Sequence, residues 1–366
     1  MKPNRTPPRP PPSPRRRLSL PNPLRRLAPS GGWLAPLKRL AAPRRLTNPL
    51  RSLAAVESLN FLVTNRIPRV AVTRGMGWYS AIRSPALTRA SLAVWRLFSD
   101  VDLSDAEPRR YRSLQEVFTR RLVPGARIVD PDPQVFASPS DAIVGACGRV
   151  EGGLVLQAKG SPYRLEDLLR SADAAQEFAG GTYVTLRLTS AMYHRFHAPH
   201  DLTVERVTYV SGDAYNVNAP ALARLPGLFC KNERAVLRAT LARGGHRIAL
   251  VPVAAILVAS IRLHCIDVLL RLRHRGPTEW ACDARHGKGE EMGWFEHGST
   301  LIVFVPAGFT LAPGIEPGRR LRMGQALMHL PAQPALMHLP AQPAPMQQQT
   351  PPAPTDLTAP PPRPAP

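Results

Sequence analysis

Three short segments of the chain carry the side-chain types that can activate a hydroxyl nucleophile. Asp141 lies in ASPSDAIVG, Ser299 lies in EHGST, and SAMYHRFHAPHDL contains His194, His197 and His200. A histidine can take the proton from a serine hydroxyl while an acid fixes its tautomer and supports the imidazolium. The sequence supplies these parts, but it does not by itself bring them together.

Two other types of site are possible for the same residues. The spacing His-x-x-His-x-x-His offers three neutral ring nitrogens to a metal. Pro199 and the strand-like flanks interrupt the helix that would align the first two, so no metal is expected. A hydrolase elbow is also weakly supported, because HGSTL around Ser299 lacks the second glycine of G-x-S-x-G and leads from a turn into a strand.

The elements that must position these residues are mainly strands. Alternation with period 2 predicts strands in TYVTLRL, LTVERVTYV, TLIVFV and on both sides of the Gly244-Gly245 turn. Helices are predicted over 114–122 and 165–179. The expected fold class is α+β, with a strand-rich, mainly antiparallel β core, N-terminal amphipathic helices and disordered termini.

Composition divides the chain into four parts. Residues 1–52 form a Pro- and Arg-rich arm that contains no acidic residue, since the first acid of the whole chain is Glu57. The net charge of the whole chain is +22. Residues 53–109 mix Leu, Phe, Trp and Val with Arg, which predicts amphipathic helices that associate with an anionic membrane, although packing on their own domain is an equal alternative. Residues 110–325 carry the predicted strands and the three polar segments described above. ALMHLPAQP then occurs twice, and 326–366 is interpreted as a disordered tail.

Cysteine spacing and hydropathy limit the class of protein further. The four cysteines form no C-x-x-C pair, so neither a disulfide scaffold nor a cysteine zinc site is indicated. The longest apolar run, 248–261, contains a proline and is interpreted as buried strands. It is too short to span a bilayer, so membrane contact is expected to be peripheral.

Eight segments, in this order, resemble the phosphatidylserine decarboxylase family over about residues 110–325. They are VFTRRLVPGARIVD, ASPSDAIVG, QAKGSPYRLEDLL, YHRFHAPHD, NVNAPAL, LFCKNERAVL, VPVAAILVASI and KGEEMGWFEHGSTLIVF. An ordered set of this kind is much more specific than any one of its members.

The resemblance implies that the chain cuts itself between Gly298 and Ser299. The products would be a β chain, 1–298, and an α chain, 299–366, whose first residue becomes a pyruvoyl group. Asp141 and His197 would be the acid and base that serve Ser299. The pyruvoyl ketone would form a Schiff base with phosphatidylserine and accept the electrons released with CO2, which gives phosphatidylethanolamine. His194 would support this decarboxylation, and no metal or external cofactor would be needed.

Some positions depart from the usual family pattern. They are Ala142, Met192, Ala254, Ala259 and His297. Two alternatives therefore stay open: a serine hydrolase that uses Asp141, His197 and Ser299 without cutting itself, and a non-catalytic basic membrane-surface protein on a decayed enzyme core. The expected partners are the phosphatidylserine substrate, an anionic membrane surface and the two chains of one precursor, with no nucleic acid. The expected location is the cytoplasmic face of a bacterial cell membrane.

Overall fold

A computed structural model describes residues 68–157, 161–257, 260–266, 269–271, 274, 276, 278–296 and 299–332. The helices of these residues are α1 (Arg69–Ala81), α2 (Pro85–Phe98), α3 (Leu114–Phe118), α4 (Leu165–Leu169), α5 (Ala172–Glu177), α6 (Ala219–Arg224) and α7 (Leu228–Lys231). The strands are β1 (Val135–Ala137), β2 (Ala142–Arg149), β3 (Leu154–Leu156), β4 (Pro162–Arg164), β5 (Thr182–Arg187), β6 (Arg195–His197), β7 (Leu202–Val210), β8 (Arg234–Leu241), β9 (Arg247–Val253), β10 (Ser260–Leu263), β11 (Leu269–Arg271), β12 (Glu279–His286), β13 (Glu291–Phe295), β14 (Thr300–Val305), β15 (Thr310–Leu311), β16 (Arg320–Leu321) and β17 (Ala326–His329).

The strands form one large sheet and three smaller ones. The eight-stranded sheet has the order β12-β7-β8-β9-β14-β5-β2-β16, and a four-stranded sheet has the order β11-β10-β13-β6. A three-stranded sheet, β1-β17-β15, and the pair β3-β4 complete the set. The pairings between the strands named above are antiparallel. The expected α+β fold class, with a mainly antiparallel strand-rich core, is confirmed.

Strand β14 lies near the middle of the large sheet. All six of its residues, TLIVFV, are buried, and it pairs with β9 on one side and β5 on the other. A strand that is covered on both faces has no polar face to present, which explains its nearly continuous apolar sequence. The first residue of β14, Thr300, pairs with Val253 and with Arg187. The chain therefore enters the centre of the sheet immediately after Ser299.

The first three helices pack around a small core of their own. Ser84 caps α2 by accepting a hydrogen bond from the N–H of Leu87 at 3.3 Å, and a proline follows it at the first helical position. The buried residues of this cluster, which spans α1, α2, α3 and the segments around them, are Leu92, Leu114, Val117 and Phe118, with Met76, Tyr79, Trp95, Leu103 and Tyr111 packed against them. The helices thus bury one face, and an apolar set on the outside remains exposed: Trp78, Val94, Leu97 and Phe98.

Both predicted internal helices are shorter than expected. The helix predicted over 165–179 is two helices, because Arg170 has a left-handed backbone (φ 56°) and Ser171 caps a new helix through the N–H of Ala174 at 3.1 Å. The helix predicted over 114–122 ends at Phe118, since the carbonyls of Thr119 and Arg120 accept hydrogen bonds from the Arg195 side chain.

The structure also bears on the predicted segment boundaries. The tail was expected to begin at residue 326, but residues 326–329 form β17, and Leu327 and Met328 are buried. The first repeat therefore starts inside the folded core. The arm 1–52, residues 53–67 and residues 333–366 lie outside the described residues. No helix in the described part of the chain has the length and apolar character that crossing a bilayer demands.

Candidate active site

Ser299 is held by its backbone on a neighbouring segment. Its N–H donates to the carbonyl of Leu188 at 3.2 Å, and its own carbonyl accepts from the N–H of Leu188 at 2.8 Å. The side chain is fully buried, yet Oγ has no hydrogen-bond partner in the described part of the chain. A buried hydroxyl without a partner costs about 1–3 kcal/mol. Because most buried polar groups are paired, such an exception calls for a specific explanation, and a catalytic role is one.

His194 lies at the other end of the segment that begins at Leu188. Its carbonyl accepts a hydrogen bond from the N–H of Phe295 at 3.0 Å, and its side chain is fully buried with the ring of Phe118 edge-on at 6.0 Å. Residues 188–194 therefore contact the chain at Phe295 and again at Ser299. These contacts bracket His297 and Gly298, which lie outside the described residues.

His197, the last residue of β6, is held at both ring nitrogens. Nδ1 is 2.9 Å from the carbonyl of Gly289, and Nε2 is 3.1 Å from the hydroxyl of Tyr193. Since a carbonyl only accepts, Nδ1 carries the proton and Nε2 accepts from the tyrosine. Burial lowers the pKa of His197 below its ordinary value of 6.5. The imidazole is therefore neutral at pH 7, the form that a general base requires.

Asp141 is bound by a cation and a backbone N–H. Arg127 donates from Nε to Oδ1 at 2.8 Å and from Nη2 to Oδ2 at 2.5 Å, and the N–H of Met323 donates to Oδ1 at 2.8 Å. Nη1 of Arg127 also donates to Asp105 at 2.8 Å. Burial alone would lower the pKa of Arg127, but its bonds to Asp141 and Asp105 raise it overall. This arginine is thus a permanent cation that fixes the Asp141 side chain.

The structure brings Asp141 and His197 onto adjacent segments without joining them. The N–H of His197 donates to the carbonyl of Pro139 at 2.8 Å, two residues before Asp141. In the described residues no hydrogen bond connects the side chains of Asp141, His197 and Ser299 to one another. The carbonyl of Gly289, rather than Asp141, sets the tautomer of His197 here.

A cleft of about 540 Å³ opens beside Asp141. It is bordered by residues 189–193, by Arg120 and Arg127, and by Ser99 at the end of α2. Residues 189–193 connect Leu188, which binds the backbone of Ser299, to His194. One wall of the cleft is therefore the segment whose flanking residues are bonded to Ser299 and Phe295.

Three residues of this site were not foreseen as functional: Arg120, Arg127 and Tyr193. Tyr193 precedes the first histidine of the motif and was quoted only as part of it. Arg127 and Arg120 precede Asp141 by 14 and 21 positions, in the segment VFTRRLVPGARIVD. A basic residue near a predicted catalytic acid was the available signal, but a chain with 48 Lys and Arg offers many such candidates.

The remaining predicted positions take ordinary structural roles. Nε2 of His200 lies 3.0 Å from the carbonyl of Pro133, away from the partners of His197. No group of three His, Cys, Asp or Glu side chains in the described residues is placed to hold a metal ion. Ala142 and Ala254 are buried, Met192 lines the cleft, and Ala259 lies outside the described residues.

Comparison with known proteins identifies the family. The family model for phosphatidylserine decarboxylase matches residues 114–329. The chain is 34% identical over 271 residues to a phosphatidylserine decarboxylase proenzyme of Brevibacillus brevis, which covers 72% of this chain and 95% of the relative. It is 33% identical over 291 residues to a proenzyme of the same name from Shewanella frigidimarina, covering 76% of this chain and 100% of the relative. The chain belongs to the phosphatidylserine decarboxylase family.

Proposed function

We propose that this protein is a phosphatidylserine decarboxylase that cuts the bond between Gly298 and Ser299 and converts Ser299 into a pyruvoyl group. The observation that carries the proposal is the state of Ser299. Its hydroxyl is fully buried and unpartnered within the described residues, while its backbone is fixed against Leu188 at the entrance of β14. A buried nucleophile in a fixed backbone is suited to a reaction with its own preceding carbonyl.

The first step is a shift of the acyl group from nitrogen to oxygen. Oγ of Ser299 attacks the carbonyl carbon of Gly298, and the C–N bond breaks, which leaves an ester and the free amine of Ser299. Gly298 has no Cβ to obstruct the approach. The attacking hydroxyl must lose a proton, and we assign that task to His197, since its Nε2 is unprotonated and its lowered pKa keeps it so at neutral pH.

The second step removes the ester. Loss of the Cα proton of residue 299 expels the Gly298 carboxylate, which leaves a dehydroalanine at the new N-terminus. Its imine tautomer takes up water and releases ammonia, so that a ketone remains. These steps balance with one water consumed and one ammonia released. The β chain then ends at Gly298 with a carboxylate, and the α chain begins with the ketone.

The ketone supplies an electron sink for the electron pair that is released when the serine headgroup loses CO2. The residues that surround residue 299 would hold the headgroup and move its protons. After CO2 has left, the carbon that carried it must receive a proton, and we assign His194 as the donor. The backbone of His194 is bonded to Phe295, in the strand that leads to the proposed cleavage site. Its full burial keeps bulk water from competing in this transfer.

We also propose peripheral attachment to an anionic membrane through α1 and α2. Between Glu57 and Asp100 the chain contains no acidic residue. The exposed apolar side chains of these helices, Trp78, Val94, Leu97 and Phe98, lie among exposed arginines, Arg74, Arg83, Arg89 and Arg96. Apolar side chains flanked by cations suit the boundary between acyl chains and anionic headgroups.

The proposal is tested by the mass of the purified protein. We expect the wild-type chain to appear as two fragments, the smaller of which matches residues 299–366 with a ketone-bearing N-terminus that resists Edman degradation. Ser299→Ala should remain one chain, and the wild-type protein should release CO2 from phosphatidylserine. Thr300→Ala, which changes a neighbouring buried hydroxyl, is the matched control and should still be cut.

A wild-type protein that stays intact contradicts the proposal. The hydrolase alternative predicts a different result, namely an uncut Ser299 that becomes labelled by a serine-reactive phosphonate. The two hypotheses are therefore separated by one preparation analysed before and after labelling.

A further inference from the structure

Arg120 is a buried arginine that has no acidic partner among the described residues. Its side chain is 3% exposed, with Nη1 donating to the carbonyl of Val117 at 3.2 Å and Nη2 to the carbonyl of Ala191 at 3.1 Å. Nε is buried and has no hydrogen-bond partner in the described residues. A guanidinium has five N–H donors, so most of this one's donor capacity is unused.

The acids near Arg120 do not compensate its charge. Asp105 and Asp141 both bind Arg127, and neither lies within ion-pair distance of Arg120. Burial lowers the pKa of Arg120, which reflects the cost of this unneutralised cation, although the two aspartates offset part of it. Buried charges are ordinarily paired, and a buried cation without a counterion is expected where an anion binds from outside.

Arg120 lies at a cleft that is large enough to admit such an anion. It lines the 540 Å³ cleft together with residues 189–193 and with charged side chains of both signs, namely Arg127, Arg320, Arg322, Asp100, Asp102, Asp105 and Asp141. The residues that flank segment 189–193, Leu188 and His194, are hydrogen-bonded to the backbone of Ser299 and of Phe295. A molecule in the cleft is thus separated from the reactive region by a single segment of chain.

Part of the cleft lining directly follows an exposed apolar stretch of α2. Ser99 and Asp100 line the cleft and directly follow α2. The last turns of α2 expose Val94 (57%), Leu97 (47%) and Phe98 (50%). A lipid whose acyl chains stay in the bilayer beside α2 could therefore extend its headgroup into the cleft.

We infer that Arg120 binds the phosphodiester of the lipid substrate in this cleft, one segment of chain away from Ser299. This inference rests on the proposed function. The substrate carries two anionic groups, and only the phosphodiester remains unchanged during the reaction. An arginine on the departing carboxylate would stabilise the ground state more than the transition state, whereas binding a non-reacting group imposes no such penalty. The phosphodiester is also the group closest to the acyl chains.

The test measures headgroup binding without turnover. Isothermal titration of the purified full-length protein with glycerophosphoethanolamine presents a phosphodiester without a carboxylate, and titration with L-serine presents a carboxylate without a phosphate. In Arg120→Gln, we expect the affinity for glycerophosphoethanolamine to fall about 30-fold, as for loss of a buried charge-assisted contact, while any affinity for L-serine is unchanged. Arg121→Gln is the matched control, because Arg121 is the adjacent arginine and is exposed.

Turnover provides the second readout. On mixed micelles, Arg120→Gln should raise KM for phosphatidylserine by a similar factor with little change in kcat, and the extent of self-cleavage should equal that of the wild type. A purely structural brace would instead impair folding and cleavage. If Arg120→Gln does not fold, Arg120→Lys keeps the charge and takes its place, with an expected loss of affinity that is smaller but still measurable.

Three results overturn the inference: no detectable binding of glycerophosphoethanolamine by the wild type at millimolar concentration, equal affinities in the wild type and the variant, or a loss confined to L-serine. A different result would refute the proposed function without refuting this inference. A wild-type chain that is neither cut nor active, but binds glycerophosphoethanolamine through Arg120, would refute the decarboxylase and leave the anion site standing.

Discussion

The hydroxyl of Tyr193 lies 3.1 Å from Nε2 of His197 and occupies the lone pair that a general base would use. The opposite nitrogen donates to Gly289 at 2.9 Å. The two rings also pack at 5.7 Å between centroids. His197 is thus held in one tautomer, and a proton can reach Nε2 only when this tyrosine yields its place or passes the proton on.

The rate of self-cleavage should depend on the protonation of His197. Burial places the pKa of this histidine below 6.5, so its neutral form persists as the pH falls to that value and is lost only below it. We expect the cleavage rate of freshly refolded precursor to be flat from pH 8 to about 6.5 and to decline at lower pH. The cleavage rate is measured by gel electrophoresis of samples that are quenched at successive times. A decline that begins well above pH 6.5 would contradict this assignment.

Tyr193→Phe should move that profile toward higher pH. The tyrosine O–H stabilises the neutral imidazole, so its removal raises the pKa of His197 and the rate should begin to fall at a higher pH than in the wild type. The ring contact is retained in phenylalanine, which limits the effect on packing. Tyr79→Phe, which also loses a hydroxyl hydrogen bond but lies in α1, should leave the profile unchanged.

Arg127→Met should destabilise the protein by about 3 kcal/mol, because it leaves the buried carboxylate of Asp141 without its cation. Urea unfolding of uncut precursor in a Ser299→Ala background measures the change without interference from cleavage. Arg322→Gln is the control, since this exposed arginine lines the same cleft. Equal losses of unfolding free energy in both variants would show that the ion pair between Arg127 and Asp141 does not stabilise the fold.

Gly293→Ala should disturb the strand that carries the chain to the proposed cleavage site. A Cβ at this position would lie 2.1 Å from the carbonyl oxygen of Arg262 and 2.9 Å from the ring of Phe196, so β13 must shift away from both neighbours. We expect a loss of about 3 kcal/mol and slower self-cleavage. Gly75→Ala, in α1 with no atom within 4 Å of the added carbon, should be cut at the normal rate. Thermal unfolding and a cleavage time course report the two effects.

Membrane binding should depend on the exposed apolar residues of α2. Replacing Val94, Leu97 and Phe98 with serine should reduce flotation with anionic liposomes by about tenfold or more, because each of the three removes apolar area from the interface. Self-cleavage should be unaffected. Ile128→Ser removes a still more exposed apolar side chain that lies outside these helices and should float like the wild type. Unchanged flotation of the triple variant would assign the membrane contact to another surface.

Some of the longer strands could be predicted from sequence because each of them carries its own signal. β7 and β14 have the predicted bounds, since turn residues or charged residues end their alternating or apolar patterns. The prediction of a single helix over residues 165–179 was wrong, because the apolar spacing of these residues fits one continuous helix. The capping serine at 171 was a local sign of the break, but the left-handed Arg170 was not.

The candidate site was only partly visible from sequence. Ser299, His197 and Asp141 could be named because their motifs are recognisable, but their hydrogen-bond partners could not. Gly289 and Met323 contribute only backbone atoms, which any residue type provides. The proposed role of Arg120 depends on its burial and on the absence of an acid within ion-pair distance among the described residues, and both are properties of the folded chain.

The position of β14 between β9 and β5 has a consequence for the mature enzyme. A break before Ser299 would leave the smaller chain woven into a sheet made mostly by the larger one, so the two products should stay together without any covalent link. Denaturation would then release two separate polypeptides, and recovery would require them to meet again in solution. The uncut precursor should refold at a rate independent of concentration, whereas the processed form should recover poorly when dilute.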